Sequence, residues 1–271
     1  MYLKKIIVLD LDGTILNSDR KISNITKKYL KELKNKGYII VIATGRIYAS
    51  ALKATEGAEF ANYVISDTGA CVYDRSSSKP IFSSFIDRSV ATKMFDYFND
   101  NCRYIDFCDK NTIYKYSNEA EYSDIVETSK DKKYILDNCN NISHITISMS
   151  KNELVVSVYE DIKKRFNDLE VIIMQDSFAD RKWIEITAKS VSKYESIRKL
   201  VNYLNYKNED VIAFGDGLND MEMLEKCGYG VALVNALSEV KDKAKDVTKF
   251  DHNHDGVVNY LKEHLYDKEV R

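Results

Sequence analysis

The chain has 271 residues, 44% hydrophobic and 30% charged, enough for one large domain or two modest ones with a buried core. A formal net charge of -2 gives no basic footprint for nucleic acid. No stretch approaches the roughly 18 apolar residues of a membrane span, and the expected location is the cytoplasm. Lys4-Lys5 resembles the start of a leader, but the apolar run behind it stops at Asp10, too soon for one. Five cysteines, Cys71, Cys102, Cys108, Cys139 and Cys227, form no CxxC pair and read as reduced, buried thiols. Lys-rich stretches are interleaved with acids or apolar residues and read as solvated helix faces.

In chain order, Ile6 to Leu9 is an apolar run of the kind buried on both faces of a parallel sheet. Ser23 to Lys36 predicts an amphipathic helix with Ser23 as N-cap, Ile25, Leu30 and Leu33 on its apolar side, and Gly37 as its stop. Tyr38 to Ala43 is a second strand. A helix from Ile47 to Glu56 and a third strand, Tyr63 to Ser66, complete a βαβαβ pattern with right-handed crossovers. The same texture returns late: a strand at Val211 to Phe214, a helix over Asn219 to Lys226 and a strand at Gly230 to Leu233. Between them, residues 84–188 mix strands (Asn141 to Met149, Trp183 to Thr187) with helices. Ser150 to Glu153 fits a capping box, followed by Leu154, Val158, Ile162 and Phe166 at helical spacing, with a hairpin at Lys151-Asn152 as the competing reading. The predicted fold is α/β: a doubly wound, Rossmann-like parallel sheet core (1–83 and 189–271) with an inserted α+β domain (84–188).

Ligands of open α/β sheets bind beyond the carboxyl ends of the strands. Four polar clusters fall at predicted strand ends: Asp10-Leu11-Asp12-Gly13-Thr14, Thr44-Gly45-Arg46, Asp67-Thr68-Gly69, and Gly215-Asp216-Gly217-Leu218-Asn219-Asp220. They bring Asp10, Asp12, Asp216 and Asp220 to one edge, where so many carboxylates require a cation. With no His or Cys among them the donors are all oxygen, which points to a hard ion, Mg²⁺ above Ca²⁺. Thr44 and Gly45, at a predicted helix start, suit a phosphate, and Lys193, where the chain returns to the core, would complete the charge balance.

These residues resemble the haloacid dehalogenase superfamily of phosphatases, in its Cof-type branch with an α+β cap of type IIB. The likeness rests on Asp10-x-Asp12-Gly13-Thr14, Ala43-Thr44-Gly45-Arg46, Gly69-Ala70, Glu185-Ile186 followed by Lys193, and Gly215-Asp216-Gly217-x-Asn219-Asp220-x-Glu222-Met223. Gly230-Val231-Ala232 before Asn235-Ala236, and Asp255-Gly256-Val257, extend it. The resemblance spans nearly the whole chain, the insert matching weakly. It implies a Mg²⁺-dependent phosphatase acting on a small phosphorylated metabolite of the sugar phosphate, FMN or pyridoxal phosphate type. Asp10 would be the nucleophile that becomes an aspartyl-phosphate, and Asp12 the general acid and then base. Mg²⁺ would be held by Asp10, the Asp12 carbonyl and Asp216, with Asp220 close by. Leu11, Thr44, Gly45, Arg46, Lys193 and Asn219 would line the substrate side, and the insert would act as a cap. No nucleic acid or membrane partner is expected.

The chain departs from the family pattern at Thr68, where Asn is common, at Tyr194, where Gly follows the phosphate Lys, and at Leu233-Val234. Thr68 and Tyr194 bear on pocket shape. Arg46 has two readings, pairing with a carboxylate or touching substrate. His252 and His254 beside Asp251 and Asp255 mimic a metal cluster, but the spacing fits a surface loop. Trp183 and the Tyr-rich insert are expected in the core. A phosphotransferase or phosphomutase, and a non-catalytic phospholigand sensor, stand as the alternative functions.

Overall fold

In the computed structural model, which describes residues 5–77, 79–119, 123–175 and 180–266, the first apolar run does become a central strand. β1 (Ile6–Leu9) leads through α1 (Asn24–Asn35) to β2 (Ile39–Ala43), and through α2 (Tyr48–Ala54) to β3 (Tyr63–Ser66). The three strands are parallel neighbours. β4 (Cys71–Asp74) and β5 (Lys79–Ser83) then add an antiparallel hairpin at the sheet edge. The sequence reading did not include that hairpin, so the sheet is mixed at one end. Pro80 lies on its outermost strand, where a missing N–H costs no ladder bond.

The chain continues through α3 (Arg88–Met94), β6 (Cys102–Cys108), β7 (Ile113–Ser117), β8 (Val126–Ser129), α4 (Lys132–Asn138), β9 (His144–Met149), α5 (Glu153–Arg165), β10 (Leu169–Gln175) and β11 (Lys182–Ala188). These six strands form their own sheet, in the order β10-β11-β9-β6-β7-β8. The chain then returns through α6 (Lys193–Tyr203), β12 (Val211–Gly215), α7 (Met221–Lys226), β13 (Tyr229–Ala232), α8 (Ser238–Lys241), β14 (Asp246–Val247) and α9 (Gly256–Tyr266). The completed first sheet has eight strands, ordered β14-β13-β12-β1-β2-β3-β4-β5. β1 therefore sits between β2 and β12, and the strand order turns back at this point, the position at which doubly wound sheets bind ligands.

Alternate residues of β1 feed opposite cores. Ile7 and Leu9 pack with α1 and α9, while Ile6 and Val8 pack with α6 and α7. Burial on both faces explains the unbroken apolar run. A third cluster, built around Phe95, Ile105, Phe107, Ile145, Ile147, Ile184 and Ile186, lies under one face of the six-stranded sheet.

Two local expectations need correction. Ser23 caps α1 by accepting from the Thr26 N–H, but Ile25 is 56% exposed. The buried face is Thr26, Tyr29, Leu30 and Leu33, and Ile25 lies outside that stripe. The helix predicted after Lys151-Asn152 forms as α5, yet the capping box does not. Asn152 is the N-cap with no side-chain cap bond, because its side chain is taken by the Lys182 N–H and by Asp180.

Candidate active site

The four strand-end clusters do meet. β1 and β12 are parallel and in register, so Asp10 and Asp216 leave the sheet side by side. Asp10, Asp216 and Asp220 are all buried, and an oxygen from each lies within 4.8 Å of the others. Lys193, fully buried at the first turn of α6, places its Nζ 2.6 Å from Asp10 Oδ1 and 2.6 Å from Asp220 Oδ1. Asp220 also accepts from the backbone N–H groups of Asp216 and Gly217 at 3.0 and 2.9 Å. The Thr14 hydroxyl donates to Asp216 Oδ1 at 2.8 Å.

Glycine is required at Gly13, where φ is +75° and an added Cβ would fall 2.1 Å from Asp216 Oδ2. Burial pushes the Asp10 carboxyl well above its ordinary range; Lys193 pulls it down, and Asp220, Asp216 and Asp12 push it further up. Excess negative charge in a dry place, with oxygen donors only, fits a hard divalent cation. The residues present therefore suit Mg²⁺.

Asp12 is half-buried and outside this carboxylate triplet. Arg46 grips it in a fork, Nε to Oδ2 at 2.7 Å and Nη2 to Oδ1 at 2.6 Å. Of the two readings of Arg46, the carboxylate pairing is the one formed. Thr44 is buried, and its hydroxyl accepts from the Arg46 N–H at 3.2 Å. α2 begins only at Tyr48, so Thr44 and Gly45 belong to a loop and not to a helix start. The amide nitrogen of Asn219 lies 3.6 Å from where a Gly45 Cβ would stand. Leu11 is fully buried in the core and does not line the cavity above the carboxylates.

A cavity of about 430 Å³ opens over this cluster. Asp10, Asp12, Thr44, Gly45, Arg46, Asn219 and Asp220 line its floor. Its opposite wall comes from the six-stranded sheet and includes Tyr104, Asp106, His144, Thr146, Trp183 and Glu185. Trp183 and Tyr104 thus face the cavity, against the expectation that the insert's aromatic residues are core. Tyr194 points away: it packs with the core on the α6 side of the sheet, its ring 5.4 Å from the Lys226 ammonium. His252 and His254 lie in a loop tied by Asp251, and the Asp10, Asp216 and Asp220 group is the only metal-competent cluster among the described residues.

The turn at 67–69 joins the floor to the opposite wall. Asp67 and Thr68 both have positive φ, 55° and 52°. Asp67 accepts from Ser143 Oγ at 2.6 Å and pairs with His144 Nδ1 at 3.2 Å, while Thr68 donates to Glu185. Their backbone N–H groups bond to the Arg46 and Thr44 carbonyls. Residue-type reasoning singled out the turn but not its partners, which lie 76 and 77 residues away for Asp67.

A parallel sheet with carboxylates at its turning point, a buried lysine across them and a cavity above them define an α/β protein that gathers oxygen donors and an ammonium where such sheets bind ligands. The chain belongs to the haloacid dehalogenase-like hydrolase family, whose model matches residues 7–261. It is 29% identical over 277 residues to a Bacillus subtilis 5-amino-6-(5-phospho-D-ribitylamino)uracil phosphatase, YitU, covering 96% of this chain and 97% of that one. A second B. subtilis phosphatase of the same name, YcsE, is 26% identical over 261 residues, covering 95% and 94%. Among solved structures, a haloacid dehalogenase-like hydrolase from B. subtilis superposes with a TM-score of 0.83 at 24% identity, covering 96% of this chain and 99% of the other. A subclass IIB sugar phosphatase of the superfamily gives 0.78 at 21%, covering 96% and 98%. The chain is therefore a haloacid dehalogenase-type hydrolase. No helix among the described residues is long and apolar enough to cross a membrane.

Proposed function

We propose that the protein is a Mg²⁺-dependent phosphatase of small phosphomonoesters that works through an aspartyl-phosphate. The observation that carries this reading is the Lys193 ammonium held 2.6 Å from both Asp10 and Asp220 beside Asp216. It supports the reading because a positive charge and a set of oxygen donors lie together beside one potential nucleophile.

In this mechanism an Asp10 oxygen attacks phosphorus in line, and the bond from phosphorus to the ester oxygen breaks. Asp12 gives its proton to the departing alkoxide. It then takes a proton from water, whose oxygen attacks the aspartyl-phosphate and releases inorganic phosphate and free Asp10. Arg46 holds Asp12 in place for both transfers. Lys193, the Thr44 hydroxyl and the Gly45 N–H hold the phosphoryl oxygens, with Asn219 beside them. The Asp10 and Asp216 carboxylates and the Asp12 carbonyl would hold Mg²⁺, with Asp220 close by; the ion would supply charge neutralisation at the phosphoryl group.

Residues 84–188 act as a cap on a core formed by 1–83 and 189–271, excluding bulk water during the reaction. Sugar phosphates, FMN, pyridoxal phosphate and the phosphoribitylaminouracil named for the Bacillus relatives are the esters to try first. The test is phosphate release from a phosphomonoester panel by wild type and Asp10→Asn, with Mg²⁺ and with EDTA. Release by wild type alone, stopped by EDTA and restored by Mg²⁺, is expected. Full activity in Asp10→Asn would refute the nucleophile, and activity that survives metal removal would refute the Mg²⁺ requirement.

A further inference from the structure

An antiparallel sheet normally turns one face to a core and leaves the other to water. The six-stranded sheet, antiparallel apart from its β7–β8 pair, departs from that plan. Ile184, Ile147 and Ile105 pair across β11, β9 and β6, as do Ile186, Ile145 and Phe107, and all six point into the apolar core. The alternate positions form a polar row. Glu185 pairs with Thr146, Thr146 with Asp106, and Asp106 with Lys115, across four adjacent strands. This row is not in water: Glu185, Asp106 and Lys115 are each 9% exposed or less. Glu185, Thr146 and Asp106 all line the cavity over the aspartate cluster.

Lys115 Nζ lies 3.8 Å from Asp106 Oδ1 and 3.8 Å from the centroid of the Tyr104 ring. Burying an ion pair on a sheet adds little net stability, since desolvation offsets the attraction. Its placement has another consequence. A carboxylate accepts several hydrogen bonds and donates none when ionised. Asp106 therefore places acceptor oxygens at the wall that faces the reaction centre, beside the Lys115 ammonium. Trp183 on the neighbouring stretch of wall supplies an apolar surface for a carbon skeleton.

We propose that Asp106, charge-balanced and oriented by Lys115, is the specificity residue that reads the leaving group, selecting phosphomonoesters whose leaving alcohol carries further hydroxyl groups. The inference rests on the phosphatase reading of the floor. A hydroxyl-rich alcohol replaces the water that the sheet face would otherwise bind, and hydrogen bonds to a buried carboxylate discriminate strongly against an ester that lacks donors. Asp106 acts on the leaving group only, and Lys115 acts through Asp106 as a positioning residue.

The test compares ribitol 5-phosphate and glucose 6-phosphate with p-nitrophenyl phosphate, whose leaving group has no donor. Wild type, Asp106→Asn and the double variant Asp106→Ala with Lys115→Met are assayed. The double variant removes the pair together and leaves no lone buried charge, so it keeps the test open should the single variant fold poorly. The ratio of kcat/KM for the better polyol ester to that for p-nitrophenyl phosphate is expected to fall at least tenfold in both variants. A ratio within threefold of wild type overturns the assignment, as does a wild type that cleaves p-nitrophenyl phosphate but neither polyol ester. A wild type that releases phosphate from none of the three overturns the phosphatase reading, and the inference with it.

Discussion

Arg46 holds both oxygens of Asp12, donating from Nε at 2.7 Å and from Nη2 at 2.6 Å. A fork of this kind fixes the plane of the carboxylate as well as its position. Asp12 lies two residues from Asp10, the proposed nucleophile, on the turn that leaves β1, and its own half-buried setting would otherwise let it rotate. Lysine keeps the charge but not the fork. Arg46→Lys is therefore expected to lower kcat by about 10- to 100-fold, the cost of a misplaced proton donor, with little change in thermal unfolding. Steady-state kinetics alongside a melting curve checks this. An unchanged kcat would mean that Asp12 needs no such orientation.

Lys193 is the ammonium shared by Asp10 and Asp220, beside Asp216. Removing it leaves three buried carboxylates without their ammonium. Lys193→Met keeps the length and the apolar stem. In chelator it is expected to lose about 3–5 kcal/mol of stability, the usual consequence of stranding a buried charge, and to recover part of that when Mg²⁺ is added. Urea unfolding with EDTA and with Mg²⁺ measures both. A variant as stable as wild type in EDTA would show that the carboxylates are not in charge debt.

Asp10 gives the pH dependence of the metal-free protein. Its folded pKa is raised well above the ordinary 3.8, chiefly by burial. For a group shifted upward, its contribution to stability is fully present below 3.8 and is lost as pH rises through the folded value. Ionising Asp10 thus costs the metal-free fold stability. Asp10→Asn removes that ionisation. In EDTA at pH 7 the variant is expected to be more stable than wild type. The difference should shrink toward pH 4. Curves that stay parallel from pH 4 to 8 would contradict the assignment.

The floor of the site was legible in the sequence because its parts are local. An apolar run that ends in Asp-x-Asp-Gly, or in Gly-Asp-Gly, announces a strand and the turn that follows it. Parallel pairing then brings the ends together whatever lies between. The wall was legible only in part. His144-Ile145-Thr146-Ile147 and Trp183-Ile184-Glu185-Ile186 alternate with period two and read as strands, whereas Tyr104-Ile105-Asp106-Phe107 alternates in the same way and was not singled out. What that face meets depends on sheet order and on how the two sheets stack, which no local pattern encodes. Ile25 shows the same limit at smaller scale: it is apolar at a plausible spacing, but Thr26 takes the buried position because Asp255, 229 residues away, accepts from its hydroxyl.

The contact between Asp67 and His144 joins the floor to the opposite wall, and it titrates. Burial acts to lower the His144 pKa, but the Cys108 sulfur and the hydrogen bond to Asp67 outweigh it, so the ring stays protonated well above its ordinary 6.5. An upward shift on a base means that its stabilisation is complete below 6.5 and is lost as pH rises through the folded value. Asp67→Asn isolates the charge: Asn is nearly isosteric and tolerates the positive φ of 55° at this position. The Ser143 hydroxyl, 2.6 Å from Asp67 Oδ1, would keep a polar partner. The variant is expected to lose about 1.5–3 kcal/mol at pH 6, the range for a hydrogen bond between charged groups. The loss should diminish at alkaline pH, where His144 in the wild type gives up its proton. Urea unfolding of both proteins from pH 5.5 to 9 tests it. A deficit that is the same at every pH would assign the contact to packing, and floor and wall would then be joined by shape and not by charge.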